Sequence, residues 1–177
     1  MKITVLEGSP HVSGSSNTLA REFMRGASES GHEVVEIEAA CSDIHPCIGC
    51  GKCGMDGPCV FEDDNALVRD ALLGSDMVVF ATPIYYFGMS AQLKIVVDRF
   101  YSYTSRLSGK RLKAALITAA WDSDEDVMPA VVAHYEKLCC YMNFDDVGKV
   151  LGLGCGTPEI TRESGYMEMA YELGRKL

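Results

Sequence analysis

Met77-Val78-Val79-Phe80-Ala81 is an unbroken apolar run, preceded by Gly74-Ser75-Asp76 and followed by Thr82-Pro83. A strand with one wet face alternates apolar and polar residues, whereas a strand buried on both faces reads as continuously apolar. The run is therefore expected to be a central strand of a parallel sheet. On its N-terminal side, Asp63 or Asp64 can cap a helix carrying Leu67, Val68, Ala71 and Leu72 and ending at Gly74. On its C-terminal side, Ser90 can cap a helix with Leu93, Val96, Val97, Phe100 and Tyr101 on one face.

The same alternation extends to both ends of the chain. Lys2 to Leu6, Glu33 to Glu38, Leu112 to Thr118 and Val147 to Leu153 read as further strands. Leu19, Ala20, Phe23, Met24 and Ala27 recur at helical spacing and stop at Gly31. Pro129 suits the first turn of a helix with Val131, Val132, Tyr135, Leu138, Cys139 and Met142, and Tyr166, Met169, Ala170 and Leu173 form a last helix. Five strands alternating with five helices predict right-handed βαβ units in a doubly wound parallel α/β sheet. Ligands of such sheets sit beyond the carboxyl ends of the strands, at the switch in strand order. The loops after strands one, three and four are thus the places to look for chemistry.

Composition narrows the function. The 177 residues, 47% of them hydrophobic, suffice for one core, with no low-complexity linker to divide them, so a single domain over residues 1–177 is expected. A net charge of −9 without a basic stripe excludes nucleic acid as a partner. No apolar run is long enough to span a bilayer, and Met1 to Leu6 leads straight into Glu7-Gly8-Ser9-Pro10 without an apolar leader. A reducing, cytoplasmic setting is the expectation.

After strand one, Gly8-Ser9-Pro10-His11-Val12-Ser13-Gly14-Ser15-Ser16-Asn17-Thr18 leads into a helix. Five hydroxyls and an amide gather where free backbone N–H groups and the helix dipole already favour an anion, which suits a phosphate monoester. The loop has neither the Gly-Lys-Ser/Thr of a nucleoside triphosphate site nor the G-x-G-x-x-G of a dinucleotide site. After strand three, Thr82-Pro83-Ile84-Tyr85-Tyr86-Phe87-Gly88 offers aromatic faces and free backbone groups to a planar heteroaromatic ring. The same aromatics could equally cover the sheet end or form a subunit contact. After strand four, Thr118-Ala119-Ala120-Trp121 has small residues for close approach and Trp121 as wall or packing. Asp98-Arg99 reads as a local structural pair.

Cys47, Cys50, Cys53 and Cys59 are spaced C-x2-C-x2-C-x5-C in a loop of about residues 41–62 that also carries Gly49, Gly51, Gly54 and Gly57. Such thiols can face one point only if the loop wraps around an object. An iron–sulfur cluster suits four thiolates on a tight loop best, with zinc second. Cys41, Cys139, Cys140 and Cys155 are expected to be buried free thiols.

Together these loops resemble the flavodoxin-like NAD(P)H-dependent FMN reductases and, among them, the iron–sulfur flavoproteins. The resemblance rests on Gly-Ser-Pro…Ser-Asn-Thr at 8–18, Thr-Pro-Ile-Tyr-Tyr-Phe-Gly at 82–88 and the compact cysteine loop. It implies a three-layer α/β/α fold with strand order 2-1-3-4-5. It implies that Ser9, His11, Ser16, Asn17 and Thr18 grip the FMN phosphate, that Pro83, Ile84, Tyr85, Tyr86, Phe87 and Gly88 contact the isoalloxazine, and that Thr118, Ala119 and Trp121 line its other side. His11 stands where many relatives carry Arg. A [4Fe–4S] cluster on Cys47, Cys50, Cys53 and Cys59 is implied, together with a homodimer or tetramer and a redox partner such as a ferredoxin or NAD(P)H. The expected function is an oxidoreductase passing electrons between FMN and the cluster. The alternatives are a flavin or quinone reductase whose cysteine loop is structural or zinc-binding, and an electron carrier that is not an enzyme.

Overall fold

The computed structural model describes residues 1–177. Strands β1 (Lys2–Glu7), β2 (Glu33–Glu38), β3 (Met77–Tyr85), β5 (Lys113–Ala119) and β6 (Asp145–Gly152) form one parallel sheet in the order β2-β1-β3-β5-β6. This is the expected flavodoxin-like order, with the switch between β1 and β3. The added element is β4 (Gly88–Met89), which folds back antiparallel on the end of β3. β3 therefore runs four residues past the apolar stretch that predicts it, because Ile84 and Tyr85 pair with Met89 and Gly88.

Helices α1 (Ser15–Glu29) and α7 (Tyr166–Arg175) cover one face, and α2 (Asn65–Gly74), α3 (Ala91–Arg99), α4 (Thr104–Gly109) and α5 (Pro129–Met142) cover the other. A short α6 (Pro158–Arg162) follows β6. Neither α4 nor α6 is foreseen from sequence, being too short to show a helical period. Alternate residues of the central strand serve the two cores. Met77, Val79 and Ala81 pack with Leu19, Ala20 and Phe23 of α1, whereas Val78 and Phe80 pack with Leu93, Val96 and Tyr135. Of the four remaining cysteines, Cys139 and Cys155 are buried as expected, but Cys41 and Cys140 are exposed. Cys140 lies on the solvent side of α5, one residue past the inward-facing Cys139.

Two features align the site end of the sheet. Ser90 caps α3 by accepting from the Leu93 N–H at 3.2 Å, and its hydroxyl donates to the Gly8 carbonyl at 2.6 Å, fastening the end of β1 to the start of α3. Helices α1 and α7 cross at two glycines. A Cβ on Gly26 would lie 2.2 Å from the Tyr171 carbonyl oxygen, and one on Gly174 would lie 2.1 Å from that of Phe23.

Candidate functional site

A cavity of about 590 Å³ opens at the carboxyl ends of the strands, within the size range of cofactor pockets. Four loops line it. The loop after β1 contributes Ser9 and His11 to Ser15, the end of β3 contributes Pro83, Ile84 and Tyr85, and the loop after β5 contributes Ala119 and Trp121. The fourth wall, Cys155, Gly156 and Pro158, follows β6. This wall lies outside the loops after strands one, three and four that the sequence singles out. Gly152, Gly154 and Gly156 before Thr157-Pro158 are the signal that could have found it.

The loop after β1 is built to leave donors free. Its N-cap residue for α1 is Gly14, which makes no side-chain cap, so the first N–H groups of the helix are left for another acceptor. A Cβ on Gly14 would come within 2.7 Å of Ser9 Oγ, so glycine keeps the turn tight. Ser9 Oγ accepts from the His11 N–H at 3.2 Å, and the Gly14 N–H donates to the His11 carbonyl at 2.7 Å. Arg21, one turn on, donates to the Val12 carbonyl at 2.6 Å. It brings a positive charge to this loop. Ser16, Asn17 and Thr18 are buried in the first turns of α1 and do not line the cavity. Thr18 Oγ1 is buried without any hydrogen-bond partner. A buried orphan hydroxyl in that position fits a site awaiting a phosphate oxygen.

The other expected residues divide. Pro83, Ile84, Tyr85, Ala119 and Trp121 are brought together on the cavity wall. Trp121 is 79% exposed and lies over Gly156, where a Cβ would sit 2.8 Å from the indole. Tyr86 and Phe87 form the β3–β4 turn instead, at φ 48° and φ 67°, Gly88 starts β4, and Tyr86 is 99% exposed. They stand outside the cavity because the turn reverses the chain before them. Thr118 is buried beneath the wall, its hydroxyl 3.5 Å from Met128 Sδ.

Glu7, the last residue of β1, is fully buried, and neither of its carboxyl oxygens has a partner. Burial, and then the negative charge of Glu36, push its pKa up to about 8, with Arg21 opposing and Glu38 adding to the rise. It is a carboxyl group held as the neutral acid near neutral pH.

A second cavity, of about 380 Å³, is lined by all four cysteines of the loop, Cys47, Cys50, Cys53 and Cys59, together with Phe61, Asp98 and Tyr101. The wrap is made by Gly49, Gly51 and Gly54 at φ 66°, 68° and 54°, backbone that only glycine adopts freely. The donor set of four thiols around one cavity fits an iron–sulfur cluster, although no three of the chain's His, Cys, Asp or Glu side chains stand close enough together to hold a single metal ion. His45 is exposed and stacks on Phe61 at 5.0 Å. Asp98 and Arg99 are not a pair: Asp98 meets Lys94 at 2.6 Å, while Arg99 turns inward to Asp63.

The family described as NADPH-dependent FMN reductase matches residues 1–131. An iron–sulfur flavoprotein of Archaeoglobus fulgidus is 28% identical over 179 aligned positions, covering 100% of this chain and 79% of that protein. An iron–sulfur flavoprotein of Methanocaldococcus jannaschii is 35% identical over 99 residues, 56% of this chain and 51% of its own length. In fold, an NAD(P)H:quinone oxidoreductase from Methanothermobacter marburgensis superimposes with a TM-score of 0.77 at 18% identity, over 99% of this chain and 95% of the other. No helix is long and apolar enough to cross a membrane. With its sheet, its first cavity and the cysteine loop all largely inside the matched span, the chain belongs to the NADPH-dependent FMN reductase family of oxidoreductases.

Proposed function

We propose that this chain, acting as one domain, is an FMN-binding oxidoreductase that passes electrons between FMN in the first cavity and a [4Fe–4S] cluster on Cys47, Cys50, Cys53 and Cys59. The observation that carries this reading is that all four cysteines of the loop line one cavity while the other cavity opens over an uncapped helix N-terminus. FMN supplies two-electron chemistry when bound and the cluster one-electron chemistry. The chain's own residues do the rest. The free N–H groups at the start of α1, with the hydroxyl of Ser9 on the cavity wall and that of Thr18 beneath the loop, would take the phosphate. Pro83 to Tyr85 and the Ala119–Trp121 loop would bound the ring from two sides, and Trp121 over Gly156 would limit access of water. The exposed aromatics Tyr86, Phe87 and Tyr101 support self-association into a homodimer or tetramer. NAD(P)H or a ferredoxin-like protein, in the cytoplasm, is the redox partner.

A second reading is a flavin or quinone reductase whose cysteine loop is structural, the thiols not closing around a single ion such as zinc. The flavin arm of the proposal is tested by acid release and chromatography of the flavin, followed by stopped-flow mixing with NAD(P)H. FMN that is bleached in single-turnover mixing is the expected result. FAD as the sole flavin, or FMN reduced by dithionite but not by NAD(P)H, would contradict the enzyme as proposed, the latter leaving a carrier.

A further inference from the structure

Arg99 is the largest fully buried side chain of the protein. It leaves the end of α3 and reaches both flanks of the cysteine loop. Its Nη1 donates to the His45 carbonyl at 2.6 Å, just before Cys47, and to Asp63 Oδ2 at 2.6 Å, just after Cys59. Its Nη2 donates to Asp63 Oδ1 at 2.9 Å. The two side chains are 1% and 3% exposed. Asp63 also accepts from the His45 N–H at 3.0 Å and the Asn65 N–H at 3.2 Å, so one carboxylate and one guanidinium clamp both ends of the segment that carries the four thiols.

A brace of this kind does not require a charge, since buried ion pairs seldom stabilise a fold more than well-packed apolar residues do. Two details suggest what the charge is for. The Nε–H of Arg99 is buried and has no partner, a costly state for a donor. The Phe61 ring, 5.3 Å from the guanidinium carbon and itself on the wall of the thiol cavity, closes the arrangement.

Resting on the cysteine-loop reading above, we propose that Arg99 is the positioning residue of that loop and the fixed counter-charge of whatever its thiolates hold, setting how readily that group accepts an electron. Adding an electron to a thiolate-ligated cluster adds one negative charge, which a buried cation behind the wall of the thiol cavity favours. Asp63 holds the fork in place and neutralises part of its charge.

The test compares wild type with Arg99→Gln, Arg99→Lys and Asp63→Asn. Hydrogen exchange over residues 45–62 is read in the metal-free, reduced protein. The midpoint potential is read by redox titration after anaerobic reconstitution with iron and sulfide, and FMN content serves as the control for folding. Exchange in the loop should rise about tenfold or more in all three variants, as expected for loss of a charge-assisted anchor. The potential should move in the negative direction in Arg99→Gln, stay near wild type in Arg99→Lys, and move in the positive direction in Asp63→Asn. If Arg99→Gln does not fold, the contrast between Arg99→Lys and Asp63→Asn decides. Iron-loaded wild type and variants with equal potentials would overturn the counter-charge, and unchanged loop exchange would overturn the brace. Wild type that takes up no iron would instead overturn the reading on which the counter-charge rests.

Discussion

Thr18 carries a buried hydroxyl with no partner, in the first turns of a helix whose N-cap is a bare glycine. Sequence reasoning marks Thr18 from the crowd of hydroxyls in residues 9–18, but not that it lies beneath the loop rather than on the cavity wall. That placement depends on where the helix starts, which the Ser/Gly run leaves open. Thr18→Val and Ser9→Ala should each weaken FMN binding by about 1.5–3 kcal/mol, the worth of a hydrogen bond to a charged group. A fluorescence titration of apoprotein with FMN checks this, and unchanged affinity in the double variant would place the phosphate elsewhere. The burial of Glu7 is not foreseen, because nothing in Leu6-Glu7-Gly8 says that the carboxyl points into the core. Its folded pKa of about 8 stands above the ordinary 4.5. The unfolded chain thus releases this proton first, so the group costs stability progressively from about pH 4.5 to pH 8 and by a constant amount above that. Glu7→Gln should remove this slope and stabilise the protein above pH 8 by on the order of 5 kcal/mol, about 1.4 kcal/mol for each pH unit between the two values. Denaturant unfolding at several pH values measures it, and parallel pH profiles for wild type and variant would count against the buried acid.

The elements were most legible where burial alone dictates the sequence. The run at 77–81 identifies β3 because a strand covered on both faces has no need of polar residues. The end of β3 was not legible, because its last pairing is with the two-residue β4 and rests on positive φ at Tyr86 and Phe87, which aromatic residues do not advertise. The Asp98-Arg99 pair was misread for a related reason. Neighbours in a helix point in different directions, and only the tertiary structure brings Asp63 to Arg99 while Lys94 takes Asp98. The α1–α7 crossing is equally silent in sequence, since Gly26 within a helical pattern suggests only a weak helix. With backbone oxygen 2.2 Å from where a Cβ would lie, Gly26→Ala cannot be relieved by a side-chain rotation. It should cost about 2–3 kcal/mol or more, the upper range for overpacking. Thermal unfolding is the check, and a melting temperature equal to wild type would mean that the helices part freely.

At the scale of the molecule, the parallel doubly wound sheet followed from the alternation of elements, its strand order from the family resemblance, and the end of the sheet where the cavity opens from the two together. The fourth wall from β6 lay outside that reading, since it belongs to a strand away from the switch point and is brought in only by the turn at Gly154 to Pro158. The two cavities share no lining residue. Cys50→Ser should therefore abolish or severely reduce iron uptake, because an alcohol is a far poorer ligand than a thiolate, while FMN remains bound in full; loss of flavin along with iron would mean that the two sites are one. The most direct measurement is made on wild-type protein purified anaerobically, reconstituted with iron and sulfide, and assayed for flavin, iron and sulfide alongside its absorption spectrum. The account predicts about one FMN and about four irons and four sulfides per chain, with flavin bands over a broad cluster absorbance. Stoichiometric FMN without iron would contradict the cluster and leave the simple flavin reductase in its place.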